Sequence, residues 1–187
     1  MSKYFFIILL LSFMFSAMHR PSSDAILSYT HVLFEWDQVE DAYEYELHIS
    51  LDESFDNILT QVFEPSLIYI DKENLDWEGE YFWRVRPIYE SDEHGAWIGV
   101  SRFSIRESLS NATSTMYQEE NYQDGITFFG SLDGNFSAAF DKNGNEIWNS
   151  ADNNLIMYNT NLKGELYGCH YQPQLENSYP GIEFNLD

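Results

Sequence analysis

The residue best suited to chemistry in this sequence is His170, which follows Cys169 near the end of the chain. A catalytic histidine needs partners that fix its tautomer, and a group-transfer site needs cations around the charge that develops. From residue 107 onward the sequence supplies Lys142 and Lys163 but no arginine. We therefore predict no catalytic residue in this chain, with His170 as the one candidate, and we expect Cys169 to be a small buried side chain.

Two arginines could bind an anion. Arg84 and Arg86 share one face of a predicted strand, where they could hold a sulfated or carboxylated sugar. Three carboxylates, those of Glu35, Glu44 and Glu46, are available on predicted neighbouring strands. Opposite charges on adjacent strands pair readily, so we expect cross-strand ion pairs here.

The sequence also contains a stretch that resembles a metal-binding loop and two sites where a sugar could be attached. The stretch from Asp141 to Asn145 resembles the start of a calcium loop, but Glu146 stands where the loop needs glycine and Asp152 where it needs glutamate. A hairpin turn is the better interpretation, and we predict neither a metal site nor a cofactor. Asn111 and Asn135 begin Asn-x-Ser/Thr sequons and are candidate glycosylation sites.

The N-terminus has the pattern of an export signal. Lys3 precedes an apolar run from residue 4 to 18, which is short for a membrane span. Ala17 and Ala25 are alternative cleavage sites, and a retained membrane anchor is the competing interpretation. We predict a signal peptide and leader over residues 1–25, and hence a secreted, periplasmic or cell-surface protein.

Composition restricts the partners. The formal net charge is −22, which repels nucleic acid and anionic membranes. We therefore predict no nucleic-acid partner and no stable membrane insertion after signal cleavage. The chain has a single cysteine, so an intrachain disulfide is excluded and packing must provide the stability.

Residues 26–106 show the period-two alternation of half-buried antiparallel strands. Apolar residues alternate with polar ones in several short runs, including Val32, Phe34 and Trp36; Tyr43, Tyr45, Leu47 and Ile49; Tyr81, Trp83 and Val85; and Phe103 and Ile105. Short runs from residue 58 to 63 and from 67 to 70 add two strands. Six or seven short strands over this length predict a β-sandwich.

The same region resembles a known module. Residues 34–36 and 45–50 resemble strands B and C of fibronectin type III-like domains, residues 81–86 resemble strand F, and residues 95–97 leading to Phe103 resemble the last strand. The resemblance implies a fold and no activity, because such modules serve as spacers or binding units beside extracellular enzymes.

After a linker predicted over residues 107–123, residues 124–187 change character. A hairpin around Asp141–Asn145 is followed by a second strand pair across residues 161–164. The chain end around Phe184 echoes the sequence around Phe140, at a spacing typical of four-stranded propeller blades.

Residues 125–130 and 136–148 resemble the opening blade of arylsulfotransferase-like proteins. That family's fold is a six-bladed propeller whose central pore binds aryl sulfate esters and transfers the sulfuryl group through a histidine. The resemblance implies aryl sulfate donors and phenolic acceptors as partners of an intact protein, with the site residues mostly in later blades. We therefore predict an all-β chain, a fibronectin type III-like sandwich followed by an incomplete propeller of about one blade. The alternative is a non-enzymatic extracellular binding or adhesion protein built from β modules.

Overall fold

The protein is all-β. Its computed structural model describes residues 17–110, 120, 125–134, 136–172, 174 and 179–186. Fourteen strands are found in these residues, together with a 3₁₀ turn at Ala151–Asn153. The strands form four sheets, one of five strands and three of three strands. Asn111 and Asn135, the two candidate glycosylation sites, lie outside the described residues.

The first unit is a sandwich of two sheets. The five-stranded sheet has the order β2-β8-β7-β4-β5, and the three-stranded sheet has the order β1-β3-β6. The strands are β1 (Met18–Arg20), β2 (Ala25–Leu27), β3 (Val32–Trp36), β4 (Ala42–Ser50), β5 (Ile58–Glu64), β6 (Ile68–Asp71), β7 (Glu80–Tyr89) and β8 (Ser101–Ile105).

The core of the sandwich follows the predicted alternation. Trp36 and Trp83 are almost completely buried, and Phe34 meets the Trp83 ring edge-on with 5.2 Å between centroids. The residues between these positions point to the outer faces because successive side chains of a strand alternate. The prediction that both tryptophans lie in the core is confirmed.

The alternation fails in two places on β4. Tyr43, predicted to face inward, is exposed because the pairing of β4 with β7 shifts register between Ala42 and Glu44. A bulge of this kind re-aims the side chain at the irregularity, while Tyr45, Leu47 and Ile49 after it face the core as predicted. Glu46 and His48, expected on a solvated face, are buried instead, since other side chains cover this part of the sheet.

The sheets of the sandwich begin earlier than the predicted boundary at residue 26. β1 pairs antiparallel with β3, and β2 pairs parallel with β8. Asp37 also accepts a hydrogen bond from the backbone N–H of Ala17. Cleavage after Ala25 would remove β1, whereas cleavage after Ala17 would leave both strands in place.

The second unit contains two antiparallel meanders of three strands. The first has β10 in the middle, and the second has β13 in the middle. The strands are β9 (Thr127–Ser131), β10 (Phe136–Phe140), β11 (Glu146–Asn149), β12 (Leu155–Thr160), β13 (Leu166–His170) and β14 (Gly181–Phe184).

Both predicted hairpins of this unit are confirmed, and they share one turn chemistry. Asp141 Oδ1 accepts hydrogen bonds from the backbone N–H groups of Asn143 and Asn145. Asn161 Oδ1 does the same at the β12–β13 turn. A glycine with positive φ stands at the fourth position of each turn, +83° at Gly144 and +81° at Gly164.

Two three-stranded sheets stand where the sequence predicted strands of one four-stranded blade. The chain turns away from β11 at Ala151 and Asn154, which both have positive φ, so β12 begins a new sheet. Phe140 consequently ends a middle strand, whereas Phe184 ends an outer strand. The two meanders pack through small residues, and the Ser137 hydroxyl of β10 donates to the Leu155 carbonyl of β12 at 2.7 Å.

Candidate functional site

A pocket lies where the sandwich meets the second unit. It encloses about 400 Å³, within the usual range of small-molecule sites. The sandwich contributes Leu27, Tyr29 and Leu33 to its wall. The wall residues that the second unit contributes include Ile147 and Trp148, which are buried. The pocket therefore exists only while the two units are held together.

A short segment of the sandwich chain makes this junction. Tyr29 forms an antiparallel bridge with Trp148. The backbone N–H of Thr30 donates to the Ile147 carbonyl at 3.0 Å, and that of Asn149 donates to the Ser28 carbonyl at 2.9 Å. Residues 28–30 thus act as an additional strand on the free edge of β11. Backbone pairing of this kind fixes the register of the two units, because each bond has a defined partner.

Polar side chains stand at the rim of the pocket. His19 Nε2 lies 2.7 Å from Asp37 Oδ1, and this hydrogen bond raises the pKa of His19. Arg20 contacts the Glu35 carboxylate at 3.5 Å. Both basic side chains on the rim are therefore paired with neighbouring acids, at exposed positions where such pairs contribute little stability.

His31 differs from the other basic groups of the pocket. It is half-buried and makes no side-chain hydrogen bond to another described residue. Burial is the main cause that lowers its pKa, and the nearby charge of Lys72 adds to the effect. A neutral imidazole provides one hydrogen-bond donor and one acceptor. Both remain available to a molecule in the pocket.

A second polar cluster covers the outer face of the five-stranded sheet around Glu46. Its carboxylate accepts hydrogen bonds from Arg86 at 2.7 Å, His48 at 2.8 Å, Gln61 at 2.6 Å and His94 at 3.0 Å. Burial alone would raise the pKa of Glu46, but the hydrogen bonds from Arg86, His48 and Gln61 and the charge of Arg86 outweigh it and hold the pKa at about 2. The expected cross-strand ion pair is confirmed for Arg86 and Glu46.

Arg84 is part of the same cluster but forms no ion pair with another residue that the structure describes. Its guanidinium carbon lies 3.9 Å from the Phe55 ring centre and 4.0 Å from that of Trp97. Its Nε is buried and has no hydrogen-bond partner among the described residues, while its Nη2 lies 3.2 Å from His48 Nδ1. Enclosed between two rings, the guanidinium has a packing role. Glu35, another predicted partner of the two arginines, lies on the other sheet and contacts Arg20.

His170 lies neither in the lining of the junction pocket nor in the cluster around Glu46. His170 ends β13 opposite Leu155, and its ring makes no hydrogen bond or ion pair with another described residue. Cys169, expected to be buried, is half-buried. Across the part of the chain that the structure describes, no group of His, Cys, Asp and Glu is arranged to hold a metal ion. No helix among those residues is long and apolar enough to span a membrane.

The residues that line the pocket were not among the site residues predicted from the sequence. Tyr29, His31 and Leu33 alternate and share one face, which was a detectable signal. Arg20 was assigned to the leader, so its place at the rim could not be anticipated. No family model matches this chain, and a search of curated proteins found no match. The two family resemblances seen in the sequence stay proposals.

Proposed function

We propose that this chain is the binding part of an exported protein and holds a small aromatic molecule in the junction pocket. The observation that carries this proposal is the pocket itself, an apolar space walled by both units. Sites for small molecules are typically concave and mostly apolar, with a few polar groups that orient the ligand. This corresponds to the non-enzymatic alternative predicted from the sequence.

The chemistry of the wall suggests the kind of ligand. Tyr29 and Trp148 present aromatic surface, against which a planar ring packs favourably. His31 offers a hydrogen bond that no described residue takes, and a phenolic hydroxyl is a suitable partner. Phenolic molecules are therefore the proposed partners in this pocket, whereas aryl sulfates have no free phenolic hydroxyl and belong to the second candidate function below. The charge of −22 argues against nucleic acid and anionic membrane surfaces.

The test is a titration with 1-naphthol, a fluorescent aromatic alcohol. We expect saturable binding to the full chain. Ser22→Phe, at an exposed position in the pocket lining, should block the space and weaken binding about tenfold or more. Ser23→Phe adds the same ring next to the pocket, not in its lining, and should bind like the unmodified chain. Equal affinity for all three proteins would refute the site.

The first unit is proposed to be a fibronectin type III-like module. Two packed sheets support this inference: β1, β3 and β6 pair antiparallel in one, and β4, β7 and β8 pair antiparallel in the other. The module contributes one wall of the pocket in addition to any role as a spacer.

Sulfuryl transfer by a longer protein is the second candidate function. Its support is the β10–β11 hairpin. This hairpin consists of a strand, an Asp-x-x-Gly-Asn turn and a strand containing Trp148, in the order that the resemblance to arylsulfotransferase-like proteins requires. Asp141 caps the turn and so has a structural role. The catalytic groups would have to come from sequence beyond Asp187.

This candidate predicts that the chain by itself does not release p-nitrophenol from p-nitrophenyl sulfate, even with phenol as acceptor. A transferred sulfuryl group needs positive charge or preorganised donors around the nucleophile, and His170 has none among the described residues. Release above a heat-killed control that is lost in His170→Ala would make His170 the nucleophile. A natural gene with a stop codon directly after Asp187 would count against a longer enzyme.

A further inference from the structure

The junction contains a buried carboxylate that does not line the pocket. Glu146, the first residue of β11, is 7% exposed. One oxygen accepts hydrogen bonds from the backbone N–H of Leu109 at 3.0 Å and from the Asn149 amide at 2.7 Å. The other accepts from the backbone N–H of Ser110 at 2.7 Å. All of these partners are donors, so the carboxylate ties the chain that leaves the sandwich to β11.

The backbone of the same strand is held by the sandwich as well. The Trp77 indole N–H donates to the Glu146 carbonyl at 2.8 Å. The next residue, Ile147, accepts the hydrogen bond from Thr30 described above. The sandwich and the segment after it therefore meet at the start of β11. Directly beyond this point, Ile147 and Trp148 are part of the second-unit wall of the pocket, together with Ile126, Ala139 and Leu186.

We propose that Glu146 is a positioning residue for the junction pocket: by anchoring Leu109 and Ser110 to β11, it sets where Ile147 and Trp148 stand. The inference rests on the proposed binding function, because the position of that wall determines the fit of the ligand. It differs from the pocket assignment, since Glu146 acts through its neighbours and has no contact with the ligand.

The charged form is what the geometry requires. A glutamine at this position keeps the shape but offers one oxygen to three donors and adds an amide group of its own. The backbone N–H of either Leu109 or Ser110 would then lose its acceptor, and the bond lost is one to a charged group. The strand would shift or loosen locally while the cores of both units stay intact.

The first experiment reads the position of the wall directly. The chain contains five tryptophans, Trp36, Trp77, Trp83, Trp97 and Trp148, which give separate signals when replaced by 5-fluorotryptophan. In Glu146→Gln we expect the ¹⁹F signals of Trp77 and Trp148 to shift or broaden and the other three to stay. A uniform change of all five would indicate general destabilisation and refute positioning, as would no change.

The second experiment measures affinity for 1-naphthol. Glu146→Gln should weaken binding about tenfold, the scale of one lost charge-assisted hydrogen bond. Asp152→Asn is the matched control, because it removes the exposed Arg106–Asp152 pair across the same junction; it should change affinity less than twofold. Equal losses in the two variants would overturn the proposal.

The two experiments separate the possible failures. If the unmodified chain does not bind 1-naphthol, the proposed function fails, and the ¹⁹F signals still decide whether Glu146 positions the wall. If Glu146→Gln does not fold, Glu146→Asp keeps the charge on a shorter side chain. It should then displace the Trp77 and Trp148 signals alone, and unchanged signals would contradict the proposal.

Discussion

Replacing Glu46 by glutamine should cost the sandwich about 3 kcal/mol at neutral pH. In the folded protein the pKa of Glu46 is about 2, against 4.5 for the free side chain. Each unit of pKa difference corresponds to about 1.4 kcal/mol, so the ionised carboxylate stabilises the fold by about 3 kcal/mol above pH 4.5. Removing one partner of a buried charge pair has a similar effect, about 3–5 kcal/mol.

The pH dependence gives the sign of the effect. Because folding lowers this pKa, the unfolded chain takes up the proton first as pH falls. The contribution of Glu46 is therefore complete above pH 4.5 and is lost between pH 4.5 and about pH 2. The difference in stability between the unmodified chain and Glu46→Gln should shrink over this same range.

Urea unfolding of both proteins at pH 7, 4.5 and 3, followed by near-ultraviolet circular dichroism, measures this difference. Glu44→Gln, two residues earlier on the same strand, is the control and should change the free energy of unfolding by less than about 0.5 kcal/mol. A Glu46→Gln effect below 1 kcal/mol at pH 7, or one that does not vary with pH, would show that the carboxylate is not held as the structure indicates.

Three further outcomes are expected. Trp83→Ala should cost about 3–5 kcal/mol, because it empties a large site in the sandwich core; an unchanged melting temperature would contradict that burial. Gly130→Ala should disrupt the packing of the two meanders, since its methyl group would overlap a backbone carbonyl of β12. Gly164→Ala is the control: its methyl group has free space, and the positive φ at this position should cost about 1 kcal/mol. Equal losses of stability in urea unfolding would refute the close approach at Gly130. If the proposed export signal is cleaved, mass spectrometry of the mature protein should show cleavage after Ala17, and cleavage after Ala25 would mean that β1 is absent from the mature fold.

The sequence alone determined the local structure. Alternating apolar residues such as Val32, Phe34 and Trp36 predicted strands and the core they form, because a strand with one buried face must repeat every two residues. Asp141 and Gly144 predicted a hairpin, since an aspartate side chain can accept hydrogen bonds from the turn backbone and glycine can adopt the positive φ of a tight turn. The all-β class and the positions of most strands followed from such short-range patterns.

Only the tertiary structure decided which polar residues are buried and where a ligand could bind. Glu46 and His48 have the pattern of a solvated face, and their burial depends on side chains from a distant loop, among them Trp97. The pocket is built from residues as far apart as Arg20 and Trp148. No local pattern specifies such a meeting, because it depends on the pairing of residues 28–30 with the edge of β11, which is distant in sequence.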